Sequence, residues 1–252
     1  MYINSPLEQF EIHNLIDIDS PLFDLSYLSI SNYVLYNAIV LLLIIIVHFY
    51  SVSNYSIIPT KWTITIEGIY STVSNMVINQ IGERGQQYIP FIYSLFTFIL
   101  FTNWLGLVPY SYASTAQLVF TIGLSFTIWL GITILGLIKK GWKFFDLFVP
   151  SGCGLALVPL LVIIETVSYI ARAISLGLRL GANILSGHIL IAILTGLTFD
   201  FIKSSVLFAI IGIIPLTIIL AIIGLECAIS AIQAYVFSIL TCSYIKDALY
   251  GH

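Results

Sequence analysis

In a chain made mostly of hydrocarbon side chains, the few ionisable groups are the ones equipped for chemistry. Over residues 155–246 these include Glu165, Arg172, Arg179, His188 and Glu226 inside the apolar runs, with Asn183 and Gln233 as neutral polar groups and Asp247 just beyond. A charge at the centre of a bilayer costs about 2.5–3.5 kcal/mol on insertion scales, so each one calls for a compensating role. Their spacing is ordered. Glu165, Arg172 and Arg179 are seven residues apart. That interval falls about 20° short of two full helical turns, so the three share one face. Ser168, Ser175, Asn183 and Ser186 fall near the same stripe, and Glu226 and Gln233 are again seven apart. If the two stretches pair antiparallel, residues level with one another have a nearly constant index sum. The groups then form three tiers: Glu165 with Asp247, Arg179 with Gln233, and His188 with Glu226. A turn near residue 203 implies a smaller sum, which leaves the register open by about one helical turn.

The end tiers hold carboxylates and an imidazole, groups that take up and release protons. The middle tier holds an arginine, whose pKa above about 12 keeps it charged. A fixed cation at mid-depth interrupts a water wire and attracts a carboxylate, so Arg179 reads as a gate. Conduction past a gate requires a mobile carboxylate outside this chain, charged beside Arg179 and protonated elsewhere. Plainer readings exist for the others. Arg172 and Glu165 can form a structural ion pair, His188 and Glu226 can satisfy one another, and Glu165 and Asp247 can be solvated at an interface. Two ligands such as His188 and Glu226 are too few to predict a metal site.

The elements that must position these groups follow from hydropathy. Of 252 residues, 59% are hydrophobic and 8% charged, with a mean hydropathy of +1.05. A soluble domain carries about 25% charged residues, so a soluble globule is excluded and the bilayer is the solvent. Residues 33–50 are long enough for one crossing. Residues 60–87, with Lys61, Trp62, Glu67, Glu83 and Arg84, are too polar to span and read as an amphipathic surface helix. Residues 89–138 hold two membrane helices separated by a turn at Pro109–Tyr112, closed by Lys139, Lys140 and Lys143 with Trp142 as an interfacial anchor. The stretches 155–199 and 204–245 would each exceed about 60 Å as straight helices, against a hydrocarbon core of about 30 Å. Each must either fold into a helical pair or lie tilted. Neither has a polar turn at its middle, and the only polar break is Asp200–Ser205, which favours a hairpin of two long, strongly tilted helices. Pro159 and Pro215 lie where such helices start or kink.

The expected architecture is one all-α integral membrane domain over residues 1–252, with about three upright or amphipathic-flanked helices and a tilted hairpin at 155–246. The segment 1–32 is acidic, with Glu8, Glu11, Asp17, Asp19 and Asp24 and no Lys or Arg, unlike an Arg-rich targeting peptide. The positive-inside rule places it outside and the lysine cluster inside. Cys153, Cys227 and Cys242 sit in apolar runs without metal or disulfide spacing. A secondary transporter would show inverted repeats with broken half-helices, and a voltage sensor would show arginine at every third residue; neither pattern is here. Without a phosphate loop, metal motif or nucleophile elbow, no independent enzyme, cofactor or nucleic-acid partner is expected.

The run ETVSYIARAISLGLRLGANILSGH, from Glu165 to His188, resembles the signature of the a subunit of the F-type ATP synthase membrane sector, in its mitochondrial form because His188 follows Ser-Gly. The resemblance extends to SPLEQF near the start, Val-Pro-Tyr at 108–110, Ala-Gln-Leu-Val-Phe at 116–120, and Glu226 with Gln233. It implies that Arg179 faces a rotating ring of c subunits whose mid-membrane carboxylate is the proton carrier. His188 and Glu226, with Asn183 and Gln233 as polar neighbours of the arginine, would belong to the half-channel from the intermembrane space, and Glu165 and Asp247 to the matrix half-channel. The implied setting is the mitochondrial inner membrane, with the amino terminus in the intermembrane space and the carboxy terminus toward the matrix. The implied partners are the c-ring, other stator and peripheral-stalk subunits, lipid, and a second complex in a dimer, with ATP chemistry on other subunits.

Overall fold

A computed structural model describes residues 8–16, 29–53, 59–108, 111–148, 158–204 and 212–250. Asp17, Asp19, Asp24, the Pro109–Tyr110 turn, Cys153 and Ser205 of the polar break lie outside the described residues. Among the described residues six α-helices follow in order: α1 Asn32–Ser53, α2 Lys61–Ile81, α3 Ile89–Gly106, α4 Leu118–Lys140, α5 Val158–Ser204 and α6 Ile213–Tyr250. Short 3₁₀ segments occur at Glu8–Phe10, Glu83–Tyr88, Ser114–Ala116 and Gly141–Phe148. Among the described residues, five helices are long and apolar enough to cross a membrane: α1, α3, α4, α5 and α6. The chain is an all-α integral membrane protein.

α5 has 47 residues and α6 has 38, each unbroken. At 1.5 Å per residue they measure about 70 and 57 Å, so inside a 30 Å core they must tilt. Of the two arrangements open to the sequence, the single long helix is the one formed. Pro159 and Pro215 lie in the first turns, where a missing backbone N–H removes no helical hydrogen bond, so they start the helices and do not kink them. α2 begins in a capping box: the Thr60 side chain accepts the Thr63 N–H, and Thr63 Oγ1 accepts the Thr60 N–H at 3.0 Å. Its buried stripe is Val73, Met76, Val77 and Ile81, and Gly82 ends it at a φ of 91°, a left-handed conformation that suits glycine.

One element was not expected. Asn14–Ile16 pairs antiparallel with Ile30–Ser31. Strands of two and three residues are too short to show a period-2 pattern. Asn32 ties the ladder to α1, its side chain donating to the Glu11 carbonyl at 3.0 Å and its backbone N–H to the His13 carbonyl at 3.0 Å.

The chain divides into two compact units. The first contains Met1–Val47, Phe98–Gln117 and Ala182–Ile232; the second contains His48–Thr97, Leu118–Gly181 and Gln233–His252. α5 and α6 thus contribute part of their length to each. In the first unit Ala113, Ala116 and Ile184 form a buried cluster flanked by Phe10 and Leu185. In the second, Tyr169, Ala173, Leu176 and Leu180 make the buried stripe of α5, and Ala234, Phe237, Cys242, Ile245 and Ala248 that of α6. Small residues there let helix backbones approach closely, as membrane packing requires. Leu42, Ile45, Ile46 and Phe49 of α1, and Ile214, Leu216, Leu220 and Leu225 of α6, are exposed. In a bilayer these are lipid-facing surfaces.

Candidate functional site

The first unit brings His188 and Glu226 together, with Nε2 to Oε1 at 3.9 Å. That is an ion-pair distance and too long for a direct hydrogen bond. Glu226 is 3% exposed. Among the described residues, neither of its carboxylate oxygens nor His188 Nε2 has a hydrogen-bond partner. Gly187 makes room for this carboxyl group: a Cβ there would meet Glu226 Oε1 in a clash, with Cδ at 2.7 Å and Cγ at 3.2 Å. Four residues on from Glu226, the Ser230 carbonyl accepts a hydrogen bond from Asn103 Nδ2 at 3.4 Å. Asn103 Oδ1, Ser230 Oγ and Thr115 Oγ1 are buried without a partner among the described residues.

The amino-terminal 3₁₀ turn covers His188. Phe10 meets the imidazole edge-on, with ring centroids 6.1 Å apart. Gln117 Nε2 holds Phe10 in place by donating to its carbonyl at 2.6 Å, and also donates to the Tyr112 hydroxyl at 2.8 Å. Burial pushes the Tyr112 phenol above its ordinary pKa, against the opposing effect of the Gln117 hydrogen bond, so it stays protonated. Asn183 is half-buried on α5.

The second unit gathers the other carboxylates around Arg172. Its Nη2 lies 3.1 Å from Glu165 Oε1 and its Nη1 3.5 Å from Asp247 Oδ2. Helical side chains lean toward the amino terminus, so Arg172 reaches back two turns to Glu165 while Asp247 arrives from α6. Glu165 and Asp247 therefore meet through an arginine and not as a facing pair. Tyr169 donates to or accepts from Thr133 at 2.8 Å. It stands within coulombic reach of Arg172 and Asp247, and Tyr244 within reach of Arg172, Arg179 and Asp247.

Arg179 differs from Arg172. It is exposed, and among the described residues no carboxylate lies within 4.0 Å of it. The opposite face of α5 is locked onto α4 at Gly177, where a Cβ would clash with Ser125 Oγ and stand 2.6 Å from the Thr121 carbonyl oxygen and 2.8 Å from Ile122 Cα. Two residues on, about 200° around the helix, Arg179 must face outward. The exposed Ser175 and Ala182 beside it are small enough to admit a close neighbour. Gln233 lies on the buried side of α6 at 4% exposure. Among the described residues, no group of three or more His, Cys, Asp or Glu could hold a metal ion.

Tyr169, Tyr244, Phe10, Gln117, Asn103 and Ser230 are site neighbours that sequence reasoning passed over. A signal existed for two of them, since Tyr169 is four residues after Glu165 and three before Arg172, and Tyr244 three before Asp247.

Fold and site together define a polytopic α-helical membrane protein whose two longest helices carry the His188–Glu226 pair and the Glu165–Arg172–Asp247 cluster. The family model described as ATP synthase A chain matches residues 34–246. The chain is similar to proteins named ATP synthase subunit a from Candida glabrata (57% identical over 252 residues, 100% of this chain and 97% of that one), Saccharomyces cerevisiae (54% over 252 residues, 100% and 97%) and Emericella nidulans (54% over 252 residues, 100% and 98%). The chain belongs to the ATP synthase subunit a family.

Proposed function

We propose that this chain is the proton-conducting stator subunit of an ATP synthase membrane sector, working in the mitochondrial inner membrane against a rotating ring of c subunits. The observation that carries the reading is the contrast between two arginines seven residues apart on one helix: Arg172 is neutralised by Glu165 and Asp247, whereas Arg179 is exposed. A lone cation on a membrane helix demands a counter-charge. A carboxylate on a partner surface supplies one, and only while it is deprotonated.

His188 and Glu226, with Asn183 and Gln233, form the outer half-channel, in which water and buried carboxyl and imidazole groups pass protons inward from the intermembrane space. A ring carboxylate takes up the proton, becomes neutral and moves into lipid. Near the end of its circuit it releases the proton to the inner half-channel at Glu165 and Asp247, toward the matrix. The bare carboxylate then passes Arg179, which cannot give up its own proton and so blocks a direct leak between the half-channels. Arg172 holds the inner carboxylates in place. The end of α4 and the carboxy terminus face the matrix and the amino terminus the intermembrane space, a reading supported by Lys139 and Lys140 in the last turn of α4 through the positive-inside rule. The remaining partners are peripheral-stalk and other stator subunits and a second complex in a dimer.

The test is Arg179→Ala in isolated inner membranes. Proton-driven ATP synthesis is expected to stop while the subunit is still assembled. Near-normal synthesis would refute the gate assignment.

A further inference from the structure

The second unit holds a cavity of about 550 Å³ that the proton path leaves unused. It is walled by Trp129 and Leu137 on α4, Phe144 and Phe148 on the following 3₁₀ segment, and Val162 and Tyr169 on α5. Its volume falls within the about 300–1,000 Å³ of ligand sites. The lining runs from residue 129 to 137 on α4 and from 162 to 170 on α5, about 12 Å along each helix, so the cavity suits a chain-shaped occupant. A basic rim follows Leu137 directly. Lys139 is exposed and Lys140 half-buried, and among the described residues neither has a carboxylate within 4.0 Å. Residues 137–148 carry three lysines against one acid, Asp146. Trp142, 88% exposed, lies 6.0 Å from the Phe145 ring, the aromatic arrangement of a bilayer interface.

We propose that this cavity binds one anionic phospholipid, with an acyl chain between α4 and α5 beneath the phenylalanines and the phosphate drawn to the basic end of α4, where Lys140 continues the face of Trp129, Thr133 and Leu137. A basic helix end continuing the wall of an apolar slot matches an anion joined to a hydrocarbon chain, and basic pockets between membrane helices take acidic lipid headgroups. Tyr169 connects this site to the inner ion cluster. It is a wall of the cavity and hydrogen-bonds Thr133, and it lies between Glu165 and Arg172 on α5. A seated chain braces the helix face that carries the cluster. This inference does not depend on the proton-path reading.

The test uses the intact purified complex and two photoactivatable probes with identical acyl chains, a phosphatidylglycerol and a phosphatidylcholine, with crosslinks mapped by mass spectrometry. Phosphatidylglycerol is expected to label the walls at residues 129–137 and 162–170 about tenfold more than phosphatidylcholine, since each lysine near the surface contributes to anionic-lipid binding. The double variant Lys139→Gln, Lys140→Gln should bring the two probes level. Thr166→Trp, which fills the cavity, should abolish labelling there and leave the lipid-facing residues of α6 labelled as before. Equal labelling by both probes in the unaltered complex, or an unchanged preference in the lysine variant, would overturn the proposal. If Thr166→Trp does not assemble, the lysine variant decides alone, because its positions lie at the rim.

Discussion

Replacing Gly187 with alanine should separate the proton path from the folding of the protein. The added Cβ would stand 2.7 Å from Glu226 Cδ and 3.2 Å from Cγ. Ordinary carbon contacts lie at about 3.5–4.0 Å, so the Glu226 carboxyl must withdraw by about 1 Å. It can do so, because the obstruction is the end of a flexible side chain and not backbone. The helix itself gains about 0.8–1.0 kcal/mol from exchanging glycine for alanine. The displacement falls on a pair already separated by 3.9 Å. A misplacement of about 1 Å at reacting groups can cost about a hundredfold in rate. In isolated membranes, immunoblotting should therefore show a normal amount of subunit, and proton-driven ATP synthesis should fall about ten- to hundredfold. Adding Glu226→Asp, which shortens the side chain by one methylene, should restore part of the rate. Synthesis within about twofold of the unaltered protein would refute the reasoning, because a carboxyl group that can be moved without effect is not relaying protons. A parallel loss of subunit and synthesis would show that the glycine serves packing alone.

Gly177→Ala should behave in the opposite way. Its Cβ would meet the Thr121 carbonyl oxygen and Ile122 Cα, backbone atoms that cannot yield, so the subunit should be lost from membranes on an immunoblot. Arg172→Gln leaves Glu165 and Asp247 without their shared cation; for side chains about one-third exposed, each lost contact costs up to about 1 kcal/mol, and subunit abundance should fall. Glu165→Gln in the same chain should recover part of it, and no recovery would count against the clasp. Gln117→Leu removes the hydrogen bond to the Phe10 carbonyl, worth about 1 kcal/mol, weakening the docking of Phe10 over His188 about fivefold, and also frees the Tyr112 hydroxyl. Hydrogen exchange of residues 8–16 should accelerate and ATP synthesis slow at unchanged subunit level; unaltered exchange would mean that Gln117 does not hold the segment.

Much of the fold was legible because the bilayer imposes lengths. α1, α3 and α4 appear in the hydropathy as runs of one membrane thickness, and α5 and α6 as runs too long to stand upright. Proline marked where the long helices begin, since only the first turn tolerates it. The small ladder at Asn14–Ile16 and Ile30–Ser31 was not legible, because its pairing is held by contacts remote in sequence. Phe10, Gln117, Asn103 and Ser230 escaped for a related reason. Their side chains are ordinary in turns and apolar helices, and only their neighbours give them a part in the site.

The two arginines show where the boundary lies. By itself the sequence determined that Arg172 and Arg179 share one face of a membrane helix, because seven residues is close to two turns and a charge in lipid demands an explanation. It gave them nearly equal standing. Tertiary structure alone told them apart: Asp247, 75 positions along the chain from Arg172, closes on it together with Glu165, while the seating of Gly177 against α4 turns Arg179 outward. Helical periodicity is local and can be read along a single helix. Which charge is neutralised depends on what a second helix brings alongside, and that is decided by packing.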